Sequence, residues 1–353
     1  MDNQNPQKTD KRTVLIAMSG GVDSTAAAIL MHREGYNCTG ASMKLYEGGE
    51  KTVADAKAAA EFLKIPFHSF DFTKYFAQHV IAPFICEYKN GHTPNPCIIC
   101  NKYLKFGRFL NKADELGISS IATGHYAQIE QDTTGHYNLK KGMDSTKDQS
   151  YVLYTLTQKQ LARIKFPLGS LTKSEAREVA QDAGFNNTNK NESQDICFIP
   201  DGDYVKYIKE YTGENPCKGR FIDINGNDLG ENKGIISYTV GQRRGLGLAM
   251  PHPPYVLELR AHDNIVVVGK EEMLYSKSLN AANINMIAVS KLDTPIKTQV
   301  KIRYSSPGYP AMVHQTSKNT LYIEFDEPQR AITKGQAAVI YDGDIVIGGG
   351  TII

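Results

Sequence analysis

Between residues 12 and about 200, short apolar runs alternate with longer amphipathic segments. Residues 12–18, 36–43, 66–70 and 118–123 have strand length and are rich in aliphatic side chains. Residues 22–34, 52–64, 73–87 and 101–116 have helix length, with apolar positions spaced for one buried face. Gly35 and Gly117 stand where a left-handed residue ends a helix. Thr172, Lys173, Ser174 and Glu175 form a capping box opening a further helix, with Ala176, Val179, Ala180 and Ala183 as its buried stripe. This alternation predicts an α/β domain built on a doubly wound parallel sheet. Beyond a helix at 204–211 the texture changes. Gly, Asn, Asp and Pro recur every few residues, and strand-like runs appear at 219–224, 255–259, 265–268, 298–302, 320–325, 337–341 and 345–347. Residues 273–280 read as a link between two β units, the second a barrel of about six strands. The expected division is a disordered tail at 1–11, an α/β domain at 12–205, a small β-rich domain at 206–280 and a C-terminal β-barrel at 281–353.

Between the first apolar run and the first helix lie Ala17, Met18, Ser19, Gly20, Gly21, Val22, Asp23 and Ser24. A strand, a glycine turn and a helix N-terminus surround one anion with backbone N–H groups. Gly20 and Gly21 allow close approach to a phosphate, Ser19 and Ser24 add hydroxyls, and Asp23 is a candidate Mg²⁺ ligand. No G-K-[ST] occurs in the chain and G-x-G-x-x-G is missing here, so the turn is neither a Walker loop nor a dinucleotide fingerprint. The segment resembles the pyrophosphate loop of N-type ATP pyrophosphatases, which cleave ATP to AMP and pyrophosphate.

Composition adds limits. The chain has 353 residues and a formal net charge of +2, so any nucleic-acid site has to be a local patch. No apolar stretch approaches the roughly eighteen residues of a membrane span. The first eleven residues lack the apolar core of a secretory signal, which makes a cytoplasmic location the expectation. There, six cysteines are expected to be reduced, catalytic or metal-binding. Cys38 and Cys86 lie in apolar segments and read as core. Cys97 and Cys100 follow a stiff Thr93-Pro94-Asn95-Pro96 loop, just before the helix expected from Asn101. A helix N-terminus there is expected to lower their pKa values. Cys197 lies within a polar-then-apolar segment, ESQDICFIP, at the end of the α/β region.

Together these segments closely resemble tRNA-specific 2-thiouridylases of the MnmA type. The likeness runs through nearly the whole chain: SGGVDS at 19–24, TPNPCIICN at 93–101, ATGHYA at 122–127 and KDQSYVLY at 147–154. It continues through ESQDICFIP at 192–200, YTVGQRRGLG at 238–247, KIRYSS at 301–306 and Gly335-Gln336. SGGxDS alone is shared with small-metabolite synthetases; the spaced cysteines and GQRRGLG narrow the choice.

The resemblance implies ATP-dependent replacement of the wobble uridine O2 by sulfur, in tRNAs for lysine, glutamate and glutamine. The loop at 17–24 holds pyrophosphate, with Met43 and Gly124 lining the adenosine site. Cys197 carries a persulfide, loaded by a cysteine desulfurase or a sulfur relay protein. Cys100 releases that sulfur by attack or resolves the adduct as a Cys100–Cys197 disulfide. Asn95, Pro96 and Cys97 face the target base, and His125, Lys147, Asp148, Gln149, Arg303, Tyr304 and Gln336 touch tRNA. Cys97 departs from the family, many of whose members carry Asp there for acid/base work. With Cys100 and Cys197 it also completes three ligands for an iron–sulfur cluster, the alternative sulfur route. A monomer without membrane attachment is expected.

Overall fold

The computed structural model describes residues 12–185 and 196–353. The tail at 1–11 and the Glu192–Asp195 part of the ESQDICFIP motif lie outside the described residues.

Five parallel strands form the first sheet, in the spatial order Phe67–Asp71, Asn37–Lys44, Thr13–Ala17, Ser120–Ala122, Ile164–Lys165. The central strand is apolar without alternation because both its faces are covered: Val14, Leu15 and Ile16 are wholly buried. The chain runs outward on one side of Thr13–Ala17 before returning to the other side with Ser120–Ala122. That reversal opens a crevice at the carboxyl ends of these two strands, where ligands bind in doubly wound sheets. Helix Val22–Arg33 presents Ala26 and Ala27 to Leu168 and Ala176, and these small side chains let the helix at Lys173–Asp182 pack close. The expected capping box is present, with Thr172 and Glu175 each bonded to the other's backbone N–H.

Two helices depart from the expected regularity. The segment from Thr73 to Lys89 carries an i→i+5 stretch at Ala77–Ile81, and the one from Pro96 to Glu115 carries another at Asn101–Arg108. The second helix also starts earlier than Asn101, at Pro96. Proline has no N–H to lose at a first helical position, and the Asn95 side chain accepts the Cys97 N–H at 3.1 Å.

The middle sheet has the order Tyr255–Arg260, Ile265–Gly269, Gly219–Ile222, Asp228–Asn232. The last six strands close a barrel, since Tyr275–Met286 pairs with both Thr320–Arg330 and Ile345–Ile352. Residues 273–280 are therefore not a link: a single helical turn at Glu271–Leu274 leads directly into the first barrel strand. A hairpin of the α/β domain, Ala127–Gln131 with Tyr137–Lys141, adds to the barrel edge at Ile345. Its polar sequence gives little alternation; pairing against the barrel is what holds it.

Candidate active site

The glycine turn lies in the crevice. Gly20 has φ 70°, and a Cβ there would fall 2.4 Å from the Asp55 Cβ. Only glycine passes this helix so closely. Ser24 accepts the Ser19 N–H at 3.2 Å and donates to the Gly21 carbonyl at 3.1 Å, which fixes the turn. Gly21 is the N-cap of Val22–Arg33 and makes no side-chain capping bond, so the first-turn N–H groups face the turn without a cap. Gly124 comes from the loop across the crevice; a Cβ on it would lie 2.9 Å from the Asp23 carbonyl carbon. Met43, near the end of its strand, packs into the same core. The sequence reading missed two members of this cradle. Lys173 Nζ lies 2.7 Å from both Asp23 carboxylate oxygens, and the Tyr126 hydroxyl donates to Asp23 Oδ1 at 2.8 Å. Lys173 reads in sequence as part of a helix cap, which conceals it.

The thiols come next. Cys100 is buried, only 7% exposed, whereas Cys97 and Cys197 touch solvent; all three are free. Cys100 lies within electrostatic reach of both others, and Cys197 of Cys97. The fold thus gathers sulfurs far apart in sequence. Their pKa values move opposite to expectation. Burial pushes Cys100 up to about 12, and the protein crowded around Cys97 and Cys197 raises these also. A helix terminus contributes about 0.3–1 kcal/mol, under one pKa unit, so desolvation wins. One cation opposes it. Lys105, another residue missed in sequence, lowers all three thiols. The thiol helix reaches the nucleotide crevice through Phe106, whose ring centroid lies 5.6 Å from that of His125.

The remaining candidate residues fall into two groups. His125 is buried between Phe106 and Phe166, with Nδ1 2.7 Å from Thr123 Oγ1, and desolvation holds it neutral, well below the ordinary histidine range. Gln149 accepts the Tyr126 N–H at 3.0 Å, and Asp148 accepts from the Gly142 and Ser150 N–H groups, so both shape the loop that begins at Lys147. From the barrel, Tyr304 is 43% exposed and within electrostatic reach of Cys97. Arg303 is half-buried, donating to the Ala331 carbonyl at 2.8 Å and to Thr333 Oγ1 at 3.0 Å. Gln336 donates to the Thr93 carbonyl at 2.8 Å. The barrel therefore meets the Thr93–Cys97 segment, where Cys97 is exposed and Pro96 is buried.

In this structure the Asp23 carboxylate accepts from the Lys173 ammonium and the Tyr126 hydroxyl, so a Mg²⁺ bound there would share it with them. Among the described residues no three His, Cys, Asp or Glu side chains are grouped to hold an ion. No helix among the described residues is long and apolar enough to cross a membrane.

A nucleotide cradle of the pyrophosphate-loop class, coupled to a thiol group and a closed barrel, is thus what the fold and site define. Residues 12–201 match the family described as tRNA methyl transferase HUP domain, 205–270 its PRC-barrel domain and 276–352 the aminomethyltransferase beta-barrel domain. A tRNA-specific 2-thiouridylase MnmA of Clostridioides difficile is 46% identical, over 97% of this chain and 98% of its own. Those of Halothermothrix orenii and Acetivibrio thermocellus are each 45% identical, over 96% and 97% of this chain and 98% and 99% of theirs. The chain belongs to the MnmA family of tRNA-specific 2-thiouridylases.

Proposed function

We infer that the protein is an ATP-dependent tRNA-uridine 2-sulfurtransferase acting at the wobble position. The observation that carries this is the gathering of Cys97, Cys100 and Cys197 beside the loop that borders the nucleotide crevice. Oxygen 2 of uracil is a very poor leaving group. Transfer of AMP to it from ATP converts it into part of a good one, and the turn at Ala17–Ser24 holds the departing pyrophosphate. Cys197 then supplies sulfur from a persulfide, and Cys100 completes the transfer by forming a disulfide with it.

Exposure and burial support this division of labour. Cys197 is open to a sulfur donor, a desulfurase or relay protein, while Cys100 is shielded until needed. The exposed Tyr304 ring near Cys97 offers a flipped base an aromatic face. Arg243 and Arg244, both exposed, and Lys147 supply phosphate contacts. Lysine, glutamate and glutamine tRNAs are the substrates we assign, and a cytoplasmic monomer the working form.

The test combines purified protein, ATP, unmodified tRNA and a persulfide donor. Pyrophosphate release stimulated by tRNA and 2-thiouridine found by nucleoside mass spectrometry are expected, with the 2-thiouridine lost in Cys197→Ser. Pyrophosphate release indifferent to tRNA would instead mark a synthetase acting on a small metabolite. Tight tRNA binding with no pyrophosphate would mark a binding protein.

A further inference from the structure

Lys105 has no part in the function as derived so far. It follows Cys100 by five positions, on the segment Asn101–Arg108 whose hydrogen bonds run i→i+5, the last from the Phe109 N–H to the Leu104 carbonyl. In an α-helix five residues carry a side chain about 140° around the axis. The wider i→i+5 register returns it almost to its starting face. The half-buried ammonium therefore points back toward the sulfurs. It lies within electrostatic reach of Cys97 and Cys100 on its own helix, of Cys197 on the segment leading to Phe198, and of His125 beyond the strand Ser120–Ala122. The other titratable groups facing these sulfurs are hydroxyls: Tyr46 and Tyr207 beside Cys197, and Tyr304 beside Cys97. Among the described residues Lys105 has no carboxylate partner. A cation within electrostatic reach of three thiols, without a carboxylate partner and carried on an unusual helix register, is built to face an anion.

From this juxtaposition we propose that Lys105 is the positioning residue for the anionic sulfurs of the transfer, holding first the terminal sulfur of the Cys197 persulfide and then the Cys100 thiolate. The proposal rests on the thiolation reading. The persulfide anion bonds to carbon 2 of the adenylated uridine, and the carbon–oxygen bond breaks with its electron pair leaving on AMP. The Cys100 thiolate, its proton given to solvent, then attacks the Cys197 sulfur. A Cys100–Cys197 disulfide forms, and the pair from the broken sulfur–sulfur bond stays on the sulfur of 2-thiouridine. A dithiol reductant afterwards restores both cysteines. Each attacking sulfur carries one negative charge, and at the buried Cys100 a single fixed cation counts for far more than in water.

The experiment compares the full-length wild type with Lys105→Met and Lys105→Arg, loaded with persulfide from inorganic polysulfide and mixed with ATP and tRNA. Lys105→Met is expected to release pyrophosphate within about twofold of wild type, yet to form 2-thiouridine and the Cys100–Cys197 disulfide about tenfold more slowly, the effect of one pKa unit. Lys105→Arg is expected to recover most of that rate. Equal transfer rates in Lys105→Met and wild type overturn the proposal. So does joint loss of pyrophosphate release and transfer in both variants, which marks a merely structural lysine. Should the wild type release pyrophosphate without forming 2-thiouridine, the thiolation reading fails on its own. The lysine is then judged by iodoacetamide alkylation of Cys100 at pH 8, about tenfold slower in Lys105→Met if Lys105 faces the thiol and unchanged if it does not.

Discussion

The Gln336 side-chain amide donates to the backbone carbonyl of Thr93 at 2.8 Å, joining the barrel to the first residue of the Thr93–Cys97 loop across 243 positions. The contact is reinforced in both directions. The Thr93 N–H donates to the Lys334 carbonyl at 2.9 Å, and Arg303 ties down Ala331 and Thr333 just before it. Positioning of the Thr93–Cys97 loop thus depends on a domain distant in sequence.

Gln336→Ala is expected to cost about 0.5–1.5 kcal/mol of stability, the range for one neutral hydrogen bond. Its larger effect is on 2-thiouridine formation, which falls severalfold while ATP binding holds. Arg303→Ala, which frees the Ala331–Thr333 turn, is expected to weaken tRNA binding as well. Gel shifts across a salt series, run beside thiolation rates, check both; wild-type rates in Gln336→Ala would show that the loop stands without the barrel.

Lys173→Met removes the cation seated on Asp23. The pair is partly exposed, so the melting temperature is expected to move little. Pyrophosphate release is expected to fall by tenfold or about that, since a lysine at the mouth of the anion turn is placed to meet ATP phosphates. Retained tRNA affinity in filter binding separates this from misfolding.

Gly20→Ala places a Cβ against Asp55 at a residue whose φ is 70°. Left-handed strain of about 1–3 kcal/mol adds to the clash, and the turn has to open. The variant is expected to melt lower and to lose the rise in melting temperature that ATP gives the wild type. An undiminished ATP response would remove the turn from the nucleotide site.

Alkaline stability reports the buried thiols. Burial raises Cys38 to about 11 and Cys100 to about 12. In the unfolded chain a thiol ionises near about 8.5. Above that pH the unfolded chain sheds protons that the folded one keeps, so stability falls as pH rises toward the folded values. The melting temperature is expected to drop steadily from pH 9 to 10.5, and Cys38→Ala to flatten the slope. A level profile would contradict the burial of these thiols.

Much of this was readable in the sequence, because it rests on local rules. The central strands, the helix at Val22–Arg33, the cap at Thr172 and the glycine turn follow from side-chain periodicity, capping chemistry and backbone freedom, which act over a few residues. The hairpin at Ala127–Lys141 and the first barrel strand were not legible. Their polar or irregular stretches become strands only by pairing with partners elsewhere in the chain.

The amino-acid order by itself determined the doubly wound sheet, the phosphate-type turn and the presence of three well-spaced thiols. Only the tertiary structure decided what surrounds them. Lys173 on Asp23, Lys105 facing the sulfurs and Gln336 on Thr93 are each set by packing or by a helix register that composition does not announce. The thiol pKa values belong to this second group too. The helix terminus visible in sequence is a weak local field, whereas desolvation depends on every atom the fold brings near, and it is the larger effect.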